Sequence, residues 1–104
     1  MTTQKVAHPG EILRTQFMEK YGLSASALAI RLHVPAPRVN DIVRERRGVS
    51  PDSALRLARF FKTSAQYWMD LQTAYDLAVA HALAGEQIQN EVQPVADAKV
   101  AMAA

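Results

Sequence analysis

At 104 residues, 49% of them apolar, the chain is long enough for one compact domain and too apolar for wholesale disorder. It has no Cys, which excludes disulfides, thiolate metal sites and a cysteine nucleophile, and no apolar run reaches the roughly 20 residues of a membrane span. The formal net charge of +2 is unevenly placed: residues 31–62 carry eight Lys/Arg against three Asp/Glu, whereas residues 63–104 carry one against five.

Residues 1–7 read as an arm without an anchor, and the opening MTTQKVAHPG lacks the apolar core of a signal peptide. With the missing cysteines, this points to a cytoplasmic protein. His8-Pro9-Gly10-Glu11 reads as a helix start, with Pro at the first position and an acid at the positive end of the dipole. Ile12, Leu13 and Phe17 form its inward face, and Gly22 stops it just past Lys20.

Ser24 caps a second helix over residues 25–32, whose Leu28, Ala29 and Leu32 share one face. Ala29 is small and lets another helix cross closely. His33-Val34 forms the turn, with His33 at a position of positive φ where Gly is usual and His is tolerated. Pro35 opens a third helix, and Pro37 still lies in its first turn. Val39, Ile42 and Val43 point inward, while Pro37, Arg38, Asn40, Asp41 and Arg44 point outward or to the flanks. The helix is expected to end near Arg44 or Glu45, leaving Arg46 and Arg47 in a loop that Gly48 closes. Two short helices joined this way have the spacing of a helix-turn-helix, whose second helix enters the DNA major groove.

Ser50-Pro51-Asp52 opens a fourth helix in which Ala54, Leu57, Ala58 and Phe61 recur on the core side, with Leu55 expected to pack as well. Ser64 caps the fifth. Trp68, Leu71, Tyr75 and Ala78 line one stripe of it, and Ala74 and Leu77 extend a second, more than one small core can bury. The part from about Leu71 to Leu83 is therefore expected to pack against another copy of the chain. The domain is taken as residues 8–84. Residues 85–104 form a tail to which no structure is assigned, Pro94 breaking any helix there.

The third helix and the loop after it carry the expected DNA contacts: Ala36, Pro37, Arg38, Asn40, Asp41, Arg44, Arg46 and Arg47. Arg can bond guanine O6 and N7, Asn can pair with adenine, and an acid can accept from the cytosine amino group. Ala36 and Pro37 are small or apolar, so the helix start can approach the groove and touch thymine methyls. Arg46 and Arg47 suit phosphate. Asn40 can serve a base or a phosphate, and Arg56 either a phosphate or a pair with Asp52 four residues before it. The plain alternative for the set is a solvated helix face. His8, His33 and His81 lie in three separate elements, none with a partner at metal-ligand spacing, and there is no phosphate-cradling glycine loop. No catalytic site, metal or cofactor is expected.

His8-Pro9-Gly10-Glu11-Ile12-Leu13, Leu28-Ala29, Val39-Asn40-Asp41-Ile42-Val43, Arg46-Arg47-Gly48-Val49-Ser50, Ala54-Leu55-Arg56-Leu57-Ala58, Trp68-Met69-Asp70-Leu71-Gln72 and Tyr75-Asp76-Leu77 together carry a family resemblance. Over about residues 8–78 the chain resembles the HigA-type antitoxins of bacterial toxin–antitoxin pairs, within the Cro/C1-like (XRE) helix-turn-helix superfamily. The resemblance implies an all-α, five-helix, lambda repressor-like fold. It implies a homodimer that binds a palindromic operator and represses its own operon. It also implies a partner, a HigB-type toxin that cuts mRNA on the ribosome. The alternative is a helix-turn-helix regulator with no toxin. His33 in place of the turn glycine, and the tail beyond Gly85, depart from the family pattern.

Overall fold

The computed structural model describes residues 5–96, and within them the regular structure is all helical, in five helices. Residues 1–4 of the expected arm and 97–104 of the expected tail lie outside the described residues. Helix α1 is built of Pro9–Ile12, a π-helical segment Leu13–Met18, and Glu19–Tyr21. Its widened turns, closed by a bond from the Glu19 N–H to the Arg14 carbonyl, bring positions five apart onto one side. Leu13 and Met18 both become buried that way. Gly22, at φ 63°, ends the helix in the left-handed region.

Helices α2 (Ala25–Leu32) and α3 (Ala36–Val43) form the helix-turn-helix. Ser24 Oγ accepts from the Ala27 N–H at 3.1 Å, capping α2. His33 takes the left-handed turn at φ 59°, and Val34 N–H then reaches back to the Ala29 carbonyl at 3.1 Å. Pro35 stands immediately before α3 with extended backbone. At the far end, Arg44 leaves helical geometry and Glu45 turns left-handed at φ 63°. The Arg46 and Arg47 N–H groups both fold back onto the Asp41 carbonyl. Helix α4 (Pro51–Phe61) starts on the Ser50 cap and ends at Lys62, φ 61°.

Helix α5 (Ala65–Glu91) is 27 residues long, about 40 Å at 1.5 Å per residue. Ser64 caps it, and Trp68 Nε1 donates to Thr63 Oγ1 at 2.8 Å. The helix runs straight through Gly85, where the sequence suggests the tail begins. One glycine among Ala, Leu, Glu and Gln costs a helix only about 1 kcal/mol. Pro94 is the real stop. It has no N–H for the Asn90 carbonyl, and Gln93 Nε2 donates there instead at 3.2 Å.

The core gathers Leu13 and Met18 of α1, Leu28, Ala29 and Leu32 of α2, and Val39 and Ile42 of α3. Val49, then Ala54, Leu57 and Ala58 of α4, and Trp68 of α5 complete it. Leu55, expected to pack, is 63% exposed: one residue past Ala54, it rotates off the buried face of α4. On α5, Leu77, Leu83 and Ile88 are exposed as well, with no other helix of the described residues covering them.

Candidate nucleic-acid interface

Four contacts fix the attitude of α3. Val39 and Ile42 are buried beneath it. Gly10 of α1 sits against the Ile42 carbonyl so closely that an added Cβ would come within 1.8 Å of that oxygen. Arg14 of α1 donates through Nη1 to the Val43 carbonyl, satisfying an open acceptor at the helix end. Its Nη2 also lies 3.8 Å from Glu45. Val49 N–H, just past the loop after α3, donates to Gln72 Oε1 on α5 at 2.6 Å.

His8 supports α1 from below. It is buried, its Nδ1 accepts from the Gly10 N–H at 2.8 Å, and its ring meets Tyr75 edge-on at 4.8 Å. Burial holds its pKa below the ordinary imidazole value, against the opposing pull of the Glu45 and Asp76 carboxylates.

With its underside held, α3 turns the other face outward. Pro37 is exposed and Ala36, Arg38, Asn40 and Asp41 are half-buried, while Arg44, Arg46 and Arg47 are exposed. The structure thus brings all eight sequence-predicted residues onto one helix and the loop that follows it. Arg38 Nη1 contacts Asp52 Oδ2 at 2.6 Å, with 31% of the Arg38 side chain exposed. Asn40 Nδ2 donates to the Ala36 carbonyl at 3.2 Å, and Arg47 Nη2 lies 3.5 Å from Asp41 Oδ2. Arg44 and Arg46 stand outside the four ion pairs among the described residues.

Arg56, open in the sequence between phosphate and Asp52, is taken up within the fold. Its Nε donates to Asp52 Oδ2 at 2.8 Å and its Nη1 to the Leu32 carbonyl at 2.9 Å. The two guanidinium hydrogen bonds, Arg56 first and Arg38 second, hold the exposed Asp52 carboxyl below the usual carboxylate range. Sequence reasoning placed Asp52 at a helix start and offered it as a partner for Arg56, but it did not reach the contact with Arg38, and it gave Arg14 and Gln72 no role. Each acts between elements far apart in the chain, and only the i, i+4 spacing of Asp52 and Arg56 was a local signal.

Among the described residues no three His, Asp or Glu side chains gather where they could hold a metal ion. No helix there is long and apolar enough to cross a membrane.

A capped pair of short helices, the second held by a packed underside and displaying arginines, defines a helix-turn-helix protein. The Helix-turn-helix family model matches residues 16–68, and the chain belongs to that family. It is 58% identical over 73 residues to virulence-associated protein I of Dichelobacter nodosus, a match covering 70% of this chain and 68% of that protein. Among solved structures it is similar to the Pseudomonas aeruginosa antitoxin HigA with the higBA promoter: 56% identity, TM-score 0.85, 86% of this chain and 98% of that one. It is also similar to the antitoxin GraA in complex with its operator, at 45% identity and TM-score 0.85, covering 93% and 98% of the two chains. The resemblance to HigA-type antitoxins read from the residues therefore holds at the level of the whole fold.

Proposed function

We propose that this chain is an antitoxin and autorepressor that binds operator DNA as a dimer and neutralises a HigB-type toxin. The observation that carries the DNA reading is the attitude of α3. Val39 and Ile42 lock its underside into the core, and Arg38, Asn40, Asp41, Arg44, Arg46 and Arg47 lie half-buried or exposed around its remaining face and the loop after it. The two similar structures solved with promoter or operator DNA support the same reading. Ala36 and Pro37 offer apolar contact at the groove, Arg38, Asn40, Asp41 and Arg44 offer base-edge partners, and Arg46 and Arg47 offer phosphate contacts. Two α3 helices of a symmetric dimer then enter successive major grooves about 34–36 Å apart.

Gel shifts on the chain's own promoter and on a random duplex test this. Arg38→Ala should weaken promoter binding by ~1–3 kcal/mol and relax base preference, if the contact is bidentate. Arg47→Ala should weaken both duplexes alike and flatten the salt dependence. Unchanged promoter affinity in both variants would refute the reading.

Toxin neutralisation rests on the family resemblance. Co-expression with the product of the adjacent gene tests it, the expected result being co-purification and relief of toxicity. If neither occurs, the chain is a promoter-binding regulator without a toxin.

A further inference from the structure

We infer that Asp52 is a positioning residue that holds the Arg38 guanidinium in the orientation from which it reads a guanine. The inference rests on the DNA-binding reading above and narrows it to one residue pair and one base.

A single carboxylate oxygen, Asp52 Oδ2, accepts from Arg38 Nη1 at 2.6 Å and from Arg56 Nε at 2.8 Å. Arg56 is tied in turn to the carbonyl of Leu32, the last residue of α2, at 2.9 Å. The chain of contacts therefore runs from the end of α2, through the first turn of α4, to the first turn of α3. Asp52 is held from behind by a side chain anchored on backbone, and Arg38 is held in front of it.

A guanidinium has five N–H donors in a rigid plane. The bond to Asp52 uses Nη1 and leaves the edge formed by Nε and Nη2 with two parallel donors. That edge matches the O6 and N7 acceptors of guanine in the major groove. An arginine held this way has already lost the rotamer freedom that a loose one surrenders on binding.

Stability gives only a small competing account of the contact. The side chains of Arg38, Asp52 and Arg56 are 31%, 55% and 39% exposed, and ion pairs that exposed contribute little to folding. A carboxylate beside a DNA-binding helix also repels phosphate, so its place there calls for a compensating effect on selectivity. An acid in the first turn of α4 is favourable for the helix dipole, but that role would leave base discrimination untouched.

The test uses the full chain and three kinds of duplex: its own promoter operator, the operator with each G·C pair of a half-site exchanged in turn, and random sequence. Asp52→Asn is expected to lower the operator-over-random affinity ratio about tenfold, within the range of one bidentate base contact. Affinity for random duplex should stay the same or rise, because a negative charge has gone. Discrimination should flatten at the same guanine that Arg38→Ala flattens. In the Arg38→Ala background Asp52→Asn should cause no further loss, as coupled residues require. All four proteins are compared below their lowest melting temperature, so a small change in stability does not enter the ratio. An operator preference that survives Asp52→Asn, or an equal loss with and without Arg38, would overturn the inference while leaving DNA binding in place. No operator preference in the unaltered protein would overturn the functional reading, and this inference with it.

Discussion

His8 shows how a side chain that resembles a candidate ligand serves the backbone. To accept from the Gly10 N–H its Nδ1 must be unprotonated, so the folded chain favours neutral imidazole, and burial lowers its pKa accordingly. A group with a depressed folded pKa contributes stability that is present above its unfolded value and lost as pH falls through the folded one. The urea midpoint should therefore drop between pH 7.5 and pH 5.5. In His8→Asn, which keeps a cap acceptor without a titrating ring, the drop should be smaller. The sequence does not mark His8 as a cap acceptor, whereas serine caps are legible in it. Ser24, Ser50 and Ser64 each stand at a helix start legible in the sequence, and each accepts from the N–H three residues on. His33 was likewise read into the left-handed turn it occupies. Glu45 and Lys62 adopt the same conformation with no signal in their side chains, because their geometry is imposed by where α3 and α4 must stop.

At the scale of helices, the approach of α1 to α3 is the contact with least slack. A Cβ on Gly10 would collide with the Ile42 carbonyl, which belongs to backbone and cannot rotate aside. Gly10→Ala should therefore cost about 1–3 kcal/mol, the range for overpacking a filled site, measured by thermal or urea unfolding. Operator affinity should fall with it even below the melting temperature, because α3 must shift to make room. The sequence made the existence and faces of the helices plain, since Leu28, Ala29, Leu32, Val39, Ile42, Ala54 and Leu57 recur at helical spacing and are all buried. The π-helical turns of α1 escaped that reading, because a 3.6-residue period hides the shared face of Leu13 and Met18. Leu55 escaped it too: apolar character alone does not say on which side of the stripe a residue falls. In the candidate site, α3 and its arginines were legible, but the Arg38–Asp52 and Arg14–Val43 contacts were not, since nothing local in the chain marks residues 14 and 29 positions apart as neighbours.

For the whole molecule, the long α5 sets the outline, 55 × 33 × 22 Å, and its outer half carries Leu77, 66% exposed, and Leu83, 81% exposed. If a second copy covers that face, as the unburied apolar stripes of the sequence lead one to expect, Leu77→Glu with Leu83→Glu should yield a monomer in analytical ultracentrifugation. Helical content should be retained, and promoter affinity should collapse far more than affinity for a short single half-site. The chain also contains a convenient reporter for such measurements. Trp68 is its sole tryptophan and is fully buried, ringed by Phe17, Phe61 and Tyr67 of α1, α4 and α5. None of those rings belongs to α3. Indole emission should accordingly redden when the interior opens to water yet remain dark to a duplex landing outside, giving an internal gauge of folding that can be read in the same cuvette as a DNA titration.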